Sequence, residues 1–183
     1  RPEAASVLRQ LHKLGIRNTV MMTGDSYRTA EAIARQVGVD QFFAEVLPED
    51  KANFVQKAKA EGRTVVMIGD GINDSPALSA ADIGIAINSG AAIAREIADV
   101  TIKADSLEEL VTLKTIANAL QHRVSSNYRF VLSFNSTLIV LGALGILQPA
   151  ASAMLHNLST IGISLRSMTN LIQKPSSAPQ LEG

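Results

Sequence analysis

The sequence predicts an α/β protein, a mostly parallel sheet covered by helices, that continues into an α-helical transmembrane hairpin. Through residues 1–105, β-branched runs alternate with amphipathic stretches, the order from which parallel sheets are built. Charge then disappears. Of 17 basic and 17 acidic residues, only Arg166, Lys174 and Glu182 lie beyond Arg129. The 36 residues from Phe130 to Leu165 carry none, too long for one soluble core helix and suited to two crossings of ~20 residues each.

Taken in order, Pro2–Leu14 reads as a helix already under way at Arg1, and the chain is expected to be a piece of something longer. Asn18–Met22 is the first predicted strand. A helix beginning near Ser26 places Ala30, Ile33, Ala34 and Val37 on one face at i, i+3, i+4 and i+7. Phe42–Val46 is the second strand. Pro48-Glu49-Asp50-Lys51 opens another helix, with proline in the first turn and acids near the positive end of the dipole. Thr64–Ile68, Ile83–Ile87 and Asp99–Ile102 complete the strands.

Ser106 and Glu109 have capping-box spacing, and no proline follows until Pro149. A helix to about Leu147 is therefore predicted, ~60 Å long. Residues 106–128 are its amphipathic connecting part, with Leu110, Leu113, Ala117, Leu120 and Val124 on one face. Within 129–172, Phe130–Leu147 and Pro149–Leu165 are read as two membrane spans, a buried soluble hairpin being the competing account. Arg123, Arg129, Arg166 and Lys174 flank one side, which the positive-inside rule assigns to the cytoplasm. Residues 173–183, rich in proline and serine, are expected to be a disordered tail.

Net charge is zero and the pI is near 7.0, which argues against a nucleic-acid partner, since phosphate neutralisation needs a basic excess. The absence of cysteine excludes a disulfide scaffold or a thiol nucleophile within this stretch.

In open parallel sheets, ligands sit at the carboxyl ends of the strands. There the chain places Thr23-Gly24-Asp25, where a sharp turn meets a helix start suited to an anion. A plain helix cap by Asp25 or Ser26 is the alternative. After the third strand comes Gly69-Asp70-Gly71-Ile72-Asn73-Asp74-Ser75-Pro76-Ala77-Leu78. Two carboxylates, Asp70 and Asp74, and the amide of Asn73 form an oxygen-only set that suits Mg²⁺. Lys51, three residues after Pro48, supplies the cation that a transferring phosphoryl group needs.

T-G-D, P-x-x-K and G-D-G-I-N-D-S-P-A-L, in this order, resemble the phosphorylation domain of P-type ATPases, a branch of the haloacid dehalogenase superfamily, from about residue 2 to about residue 172. The resemblance implies a Rossmann-like parallel sheet, with residues 1–105 a partial phosphorylation domain. Thr23 and Gly24 would contact an aspartyl-phosphate beside Asp25, and Lys51 would neutralise phosphoryl charge. Asp70, with Asp74 in the same set, would hold Mg²⁺, while Asn73 and Asp74 order the loop and the lysine. The family's nucleophile motif, D-K-T-G-T, occurs nowhere in the 183 residues, nor does a nucleotide-binding insert. ATP would thus be bound mainly by a domain missing from this chain, and covalent catalysis by it alone is not expected. The strand carrying the nucleophile is central in the family's sheet, so the strands ending at Met22 and Ile68 are expected to flank a gap or close on each other.

Met154-Leu-His-Asn-Leu-Ser-Thr160, followed by Ser164-Leu-Arg166, resembles the last helix of heavy-metal-transporting members, and Phe134-Asn135 resembles a Tyr-Asn pair of copper transporters. His156, Asn157 and Asn135 thereby become candidates for the transported cation. The implied partners are a lipid bilayer, a transition-metal cation and the remaining N-terminal part of a transporter. The implied location is multi-pass in the plasma (inner) membrane with the soluble domain cytoplasmic. A membrane-anchored phosphatase of the same superfamily, or a non-catalytic membrane partner, are the other readings.

Overall fold

The computed structural model describes residues 3–69, 72–87, 96–102 and 106–171. The chain divides into two compact units, Arg1–Thr112 and Leu113–Gly183. In the first, all strand pairings are parallel. β1 (Val20–Met22) pairs with β2 (Gln41–Phe43), Met21 opposite Phe42. β3 (Val66–Gly69), β4 (Ile83–Ile87) and β5 (Val100–Ile102) form a second sheet in that order, with Ile68 opposite Ile85 and Ile85 opposite Val100. Helix α1 (Ala4–Lys13) precedes β1, and between strands run α2 (Tyr27–Val37), α3 (Pro48–Ala60), a 3₁₀ turn (Ile72–Asp74) and α4 (Ser75–Ala80). The alternation is the one predicted.

The core follows from the pattern. β4 is the middle strand of its sheet, and Ile85, Ala86 and Ile87 are buried. α4 packs on β4 and on α3, burying Ala77 and Leu78 with Val55 and Ala58. On α2, Ala30 and Ala34 are buried, whereas Ile33 stays 38% exposed, so its buried stripe is narrower than the periodicity suggested. The strands ending at Met22 and Ile68 do not pair among the described residues: the sheet is split between β1 and β3. That is the division expected when a strand between them is absent. On β3, Val66 and Ile68 are each 40% exposed.

Strand ends differ from the sequence pattern for local reasons. Asn18 and Thr19 fall outside β1 because the Thr19 N–H and hydroxyl both donate to the Asp40 carboxylate, each at 2.7 Å. β2 stops at Phe43 because the chain then turns through Glu45, at a left-handed φ of 55°, and its amides reach the loop after β1. β3 begins at Val66 because Val65 donates to the Asp82 carboxylate, at 2.8 Å.

The second unit contains most of α5 (Glu108–Ala143) and all of α6 (Pro149–Ser167). The Ser106 hydroxyl accepts the Glu108 N–H at 3.1 Å, so Ser106 caps the helix, one residue short of the Glu109 N–H that capping-box spacing assigns to it. α5 ends at Ala143 rather than near Leu147, because Gly145 turns left-handed at φ 72° and the Ile146 and Leu147 amides both fold back to the Leu141 carbonyl. Pro149 opens α6 at the first-turn position, as expected.

This shortening bears on the predicted membrane hairpin. Among the described residues no helix is long and apolar enough to cross a membrane. The charge-free part of α5 is only Phe130–Ala143, short of the ~20 residues a crossing needs. α6 carries His156 and Asn157 at its centre and Arg166 at its end. The hairpin's two helices form where expected, yet the continuous 36-residue charge-free run in the sequence is broken by the turn at 144–148. The tail, 173–183, lies outside the described residues.

Candidate active site

Three chain tips lie at the carboxyl ends of β1, β2 and β3. The Thr23 N–H donates to the Phe43 carbonyl, the Val46 N–H to the Thr23 carbonyl and the Glu45 N–H to the Asp25 carbonyl, each at 3.0 Å. The Thr23–Asp25 loop is thus knitted to the turn that feeds α3. Within it, the Thr23 hydroxyl donates to the Asp25 carboxylate at 2.9 Å and accepts the Asp25 N–H at 3.1 Å. Ser26 bonds the Thr29 hydroxyl, at 3.1 Å. Neither Asp25 nor Ser26 caps α2 with its side chain, so the plain-cap alternative is not what the geometry displays. Gly24 and Asp25 are exposed at the tip.

Pro48 starts α3 and the Asp50 carboxylate accepts the Leu47 N–H, at 3.3 Å, fixing the first turn on which Lys51 stands. From there the Lys51 ammonium donates to Asp74 Oδ1 at 2.7 Å. Both side chains are largely buried, 15% and 13% exposed, and the contact ties α3 to the 3₁₀ turn after β3. A buried charge must be paired, and here each ion is the other's partner. Asn73 is exposed beside it. Asp70 lies outside the described residues. Among those described, no group of three or more His, Asp or Glu could hold a metal ion. Asp74 by itself does not make a magnesium centre, since one of its oxygens already faces a cation.

Pattern reading passed over three further features. A cleft of about 200 Å³ is lined by Met22 at the end of β1, by Phe43, Ala44, Glu45 and Val46 at and after the end of β2, and by Asp50 and Phe54 of α3. Ser75 Oγ, next to Asp74, is buried with no hydrogen-bond partner. Glu45's left-handed backbone, uncommon for a non-glycine residue, had no signal in a run that reads as strand.

In the second unit, His156 Nδ1 lies 2.9 Å from Asn135 Oδ1, joining α6 to α5. An amide oxygen accepts, so in this arrangement Nδ1 is the donor, and the ring is oriented with Nε2 on its other side. The hydroxyls of Ser159 and Thr160 donate to the His156 carbonyl, and that of Ser164 to Thr160, so these polar residues satisfy themselves on their own helix. Asn157 is exposed on α6. The Arg123 guanidinium donates to the carbonyls of Ser167, Thr169 and Asn170, closing the last turn of α6.

The profile of haloacid dehalogenase-like hydrolases matches residues 1–82, which includes every tip of the first site. Over 164 residues the chain is 42% identical to a manganese-exporting P-type ATPase of Mycobacterium leprae, covering 89% of this chain and 23% of that protein. It is 38% identical over 166 residues to the probable copper-exporting P-type ATPase V of Mycobacterium tuberculosis, covering 91% and 21%. Its structure superposes on a zinc-transporting PIB-type ATPase in the E2·Pi state with a TM-score of 0.82 at 34% identity, covering 92% of this chain and 27% of that one. The chain belongs to the heavy-metal P-type ATPases. It spans between a fifth and a quarter of the length of these curated relatives. The parallel α/β sheet is that of the haloacid dehalogenase-like hydrolases. The ion pair and the knitted loop therefore lie in the part of a heavy-metal P-type ATPase that matches the hydrolase family.

Proposed function

We propose that this chain is part of an ATP-driven transition-metal cation transporter, supplying the phosphate- and magnesium-binding side of the phosphorylation site and part of the transport path. The observation that carries the reading is the buried Lys51–Asp74 pair at 2.7 Å beside a loop tied to the entry of α3. Thr23 and Gly24 bind the phosphoryl group at the tip, with Asp25 holding the Thr23 hydroxyl. Lys51 places positive charge where negative charge develops on transfer, the form of stabilisation that costs no reorganisation during reaction. Asp74 holds that lysine, and Asn73 helps order the loop. Asp70, with Asp74 nearby, would hold Mg²⁺, which neutralises phosphoryl charge when bound. The nucleophilic aspartate and most of the ATP site belong to segments outside these 183 residues.

Its place is in a lipid bilayer, the plasma (inner) membrane, with the first unit cytoplasmic. Support comes from the 36-residue charge-free run and from apolar side chains left exposed on the hairpin, among them Ile139, Val140, Met154, Leu158 and Ile161. Helices too polar to cross alone are accommodated when their polar residues face neighbouring helices, which the rest of the transporter supplies. His156, oriented by Asn135 and accompanied by Asn157, presents Nε2 to the transported cation; an imidazole fixed through its other nitrogen is a common arrangement for a metal ligand. Manganese, copper and zinc relatives match alike, so the metal itself is left open.

In the full-length transporter, Lys51→Ala is expected to lower ATP turnover on the order of 10²–10³-fold, as for loss of a donor to developing charge. Unchanged turnover would overturn the phosphoryl assignment. His156→Ala should reduce metal-stimulated ATP hydrolysis more than metal-independent phosphorylation by inorganic phosphate. Equal metal stimulation in variant and parent removes His156 from the transport path.

A further inference from the structure

Gly69 closes β3, paired with Ala86 on β4, and is buried. Its backbone is not in the left-handed region occupied by Gly15, Gly38, Gly62 and Gly145, so conformation does not demand glycine here. Space does. A Cβ on Gly69 would stand 2.6 Å from Asp74 Cβ, 2.9 Å from Asp74 Oδ2 and 3.0 Å from Asp74 Cγ. Its three nearest neighbours all belong to one side chain, the one whose other oxygen receives the Lys51 ammonium. The Asp74 carboxylate rests on the bare end of β3, and that seat aims Oδ1 at α3.

We infer that Gly69 is a positioning residue for Lys51, acting through Asp74: the missing Cβ is the slot that lets the carboxylate lie back on the strand and hold the ammonium. The inference deepens the phosphoryl reading and rests on it for its functional meaning, but its physical content concerns three residues of this chain alone. Any side chain at position 69 displaces Asp74 by several tenths of an ångström or more. Aspartate has only two side-chain torsions with which to recover, so it cannot yield at Cβ while keeping Oδ1 in place. Lys51 then loses its partner while remaining in a largely buried position.

The test uses the full 183-residue chain with lysine labelled at the side-chain nitrogen. In the parent, the Lys51 ammonium protons should be protected from solvent exchange by the bond to Asp74. In Gly69→Ala they should exchange at least about tenfold faster, the change that loss of a charge-assisted hydrogen bond carries. Unchanged Lys51 exchange in Gly69→Ala overturns the inference. Asp74→Gly removes all three crowding atoms, so Gly69→Ala should destabilise the chain far less in that background than alone, and equal destabilisation in both also overturns it. If Gly69→Ala does not fold, recovery of folding in the Gly69→Ala/Asp74→Gly double variant supports the inference, and failure of the double variant to fold sinks it. Turnover of the Lys51→Ala transporter reports separately on the phosphoryl reading, so the two can fail independently.

Discussion

Removing the charge of Lys51 while keeping its length, as in Lys51→Met, should destabilise the first unit by about 3 kcal/mol, the cost of leaving one member of a buried pair without its partner. The magnitude follows from the geometry. At 2.7 Å and an effective dielectric of about 20, the Coulomb attraction is about 6 kcal/mol. Withdrawing each ion from water costs several kcal/mol, so the intact pair contributes little net stability. Deleting one partner removes the attraction and keeps the other's desolvation. Residual exposure of 13% at Asp74 lets some water return, which holds the figure at the lower end of the range for buried pairs. The assay is hydrogen exchange at the amides of Ile85, Ala86 and Ile87, in the buried middle strand of the same unit. A loss of about 3 kcal/mol reads there as a roughly 100-fold fall in protection. Asp74→Asn should cost a similar amount, and the double variant clearly less than the sum, because two neutral side chains leave no stranded ion. Additive effects, or a fall in protection of less than about threefold for Lys51→Met, would refute the view that these groups depend on each other.

Three further outcomes are expected. The Asp40 carboxyl is held below the ordinary carboxylate range, chiefly by the Thr19 hydroxyl and then by the Thr19 N–H, burial opposing and His12 assisting. Since the folded value is the lower one, its stabilisation is complete above about pH 4 and is lost as pH falls through the folded value; acid unfolding of Asp40→Asn should lack that component, and an unchanged acid limb would remove the residue from the account. Gly38 closes α2 at a left-handed φ of 80°, so Gly38→Ala should cost about 1 kcal/mol in urea unfolding, and no cost would mean that α2 ends otherwise. Arg123→Ala should lose about 1 kcal/mol of local stability at the end of α6, allowing for exposure, seen as faster exchange at the last amides of that helix, with those near Pro149 unchanged.

The legible part of the fold was whatever side-chain burial dictates. Ile83–Ile87 was placed to the residue, because a strand in the middle of a parallel sheet is apolar throughout and its neighbours on both sides are turn formers. The losses came where side chains or glycines take over from the ladder. Thr19 abandons β1 for Asp40, Val46 abandons β2 for the Thr23 carbonyl, and Gly145 ends α5 inside an unbroken apolar run. Hydropathy has no means of seeing that last turn, since Leu144, Ile146 and Leu147 are as apolar as the helix before them. At the site, the resemblance grouped Lys51 with Asp74, 23 residues apart in the chain, and the pair does meet at 2.7 Å. The seat beneath it was hidden, because a glycine ending a strand reads as a break in propensity rather than as room for another residue's carboxylate.

The same geometry separates the duties of two acids that the sequence placed in one magnesium set. Mg²⁺ binds few protein carboxylates, at short distance and in strict octahedral geometry, and it competes poorly for an oxygen already paired with an ammonium. Asp74 gives Oδ1 to Lys51 and lays Oδ2 over Gly69, so its orientation is fixed by a lysine and a strand end before any cation arrives. Under the proposed function, a carboxylate held in that way keeps the ammonium of Lys51 in place for the phosphoryl group and is ill suited to follow a metal. Metal holding therefore falls first to Asp70 in the proposed mechanism, and the two acids, four residues apart, are complementary rather than redundant: one neutralises phosphate through a bound ion, the other through a lysine it keeps in place. Such a division lets a short loop bring two positive charges to one phosphoryl group without setting them against each other.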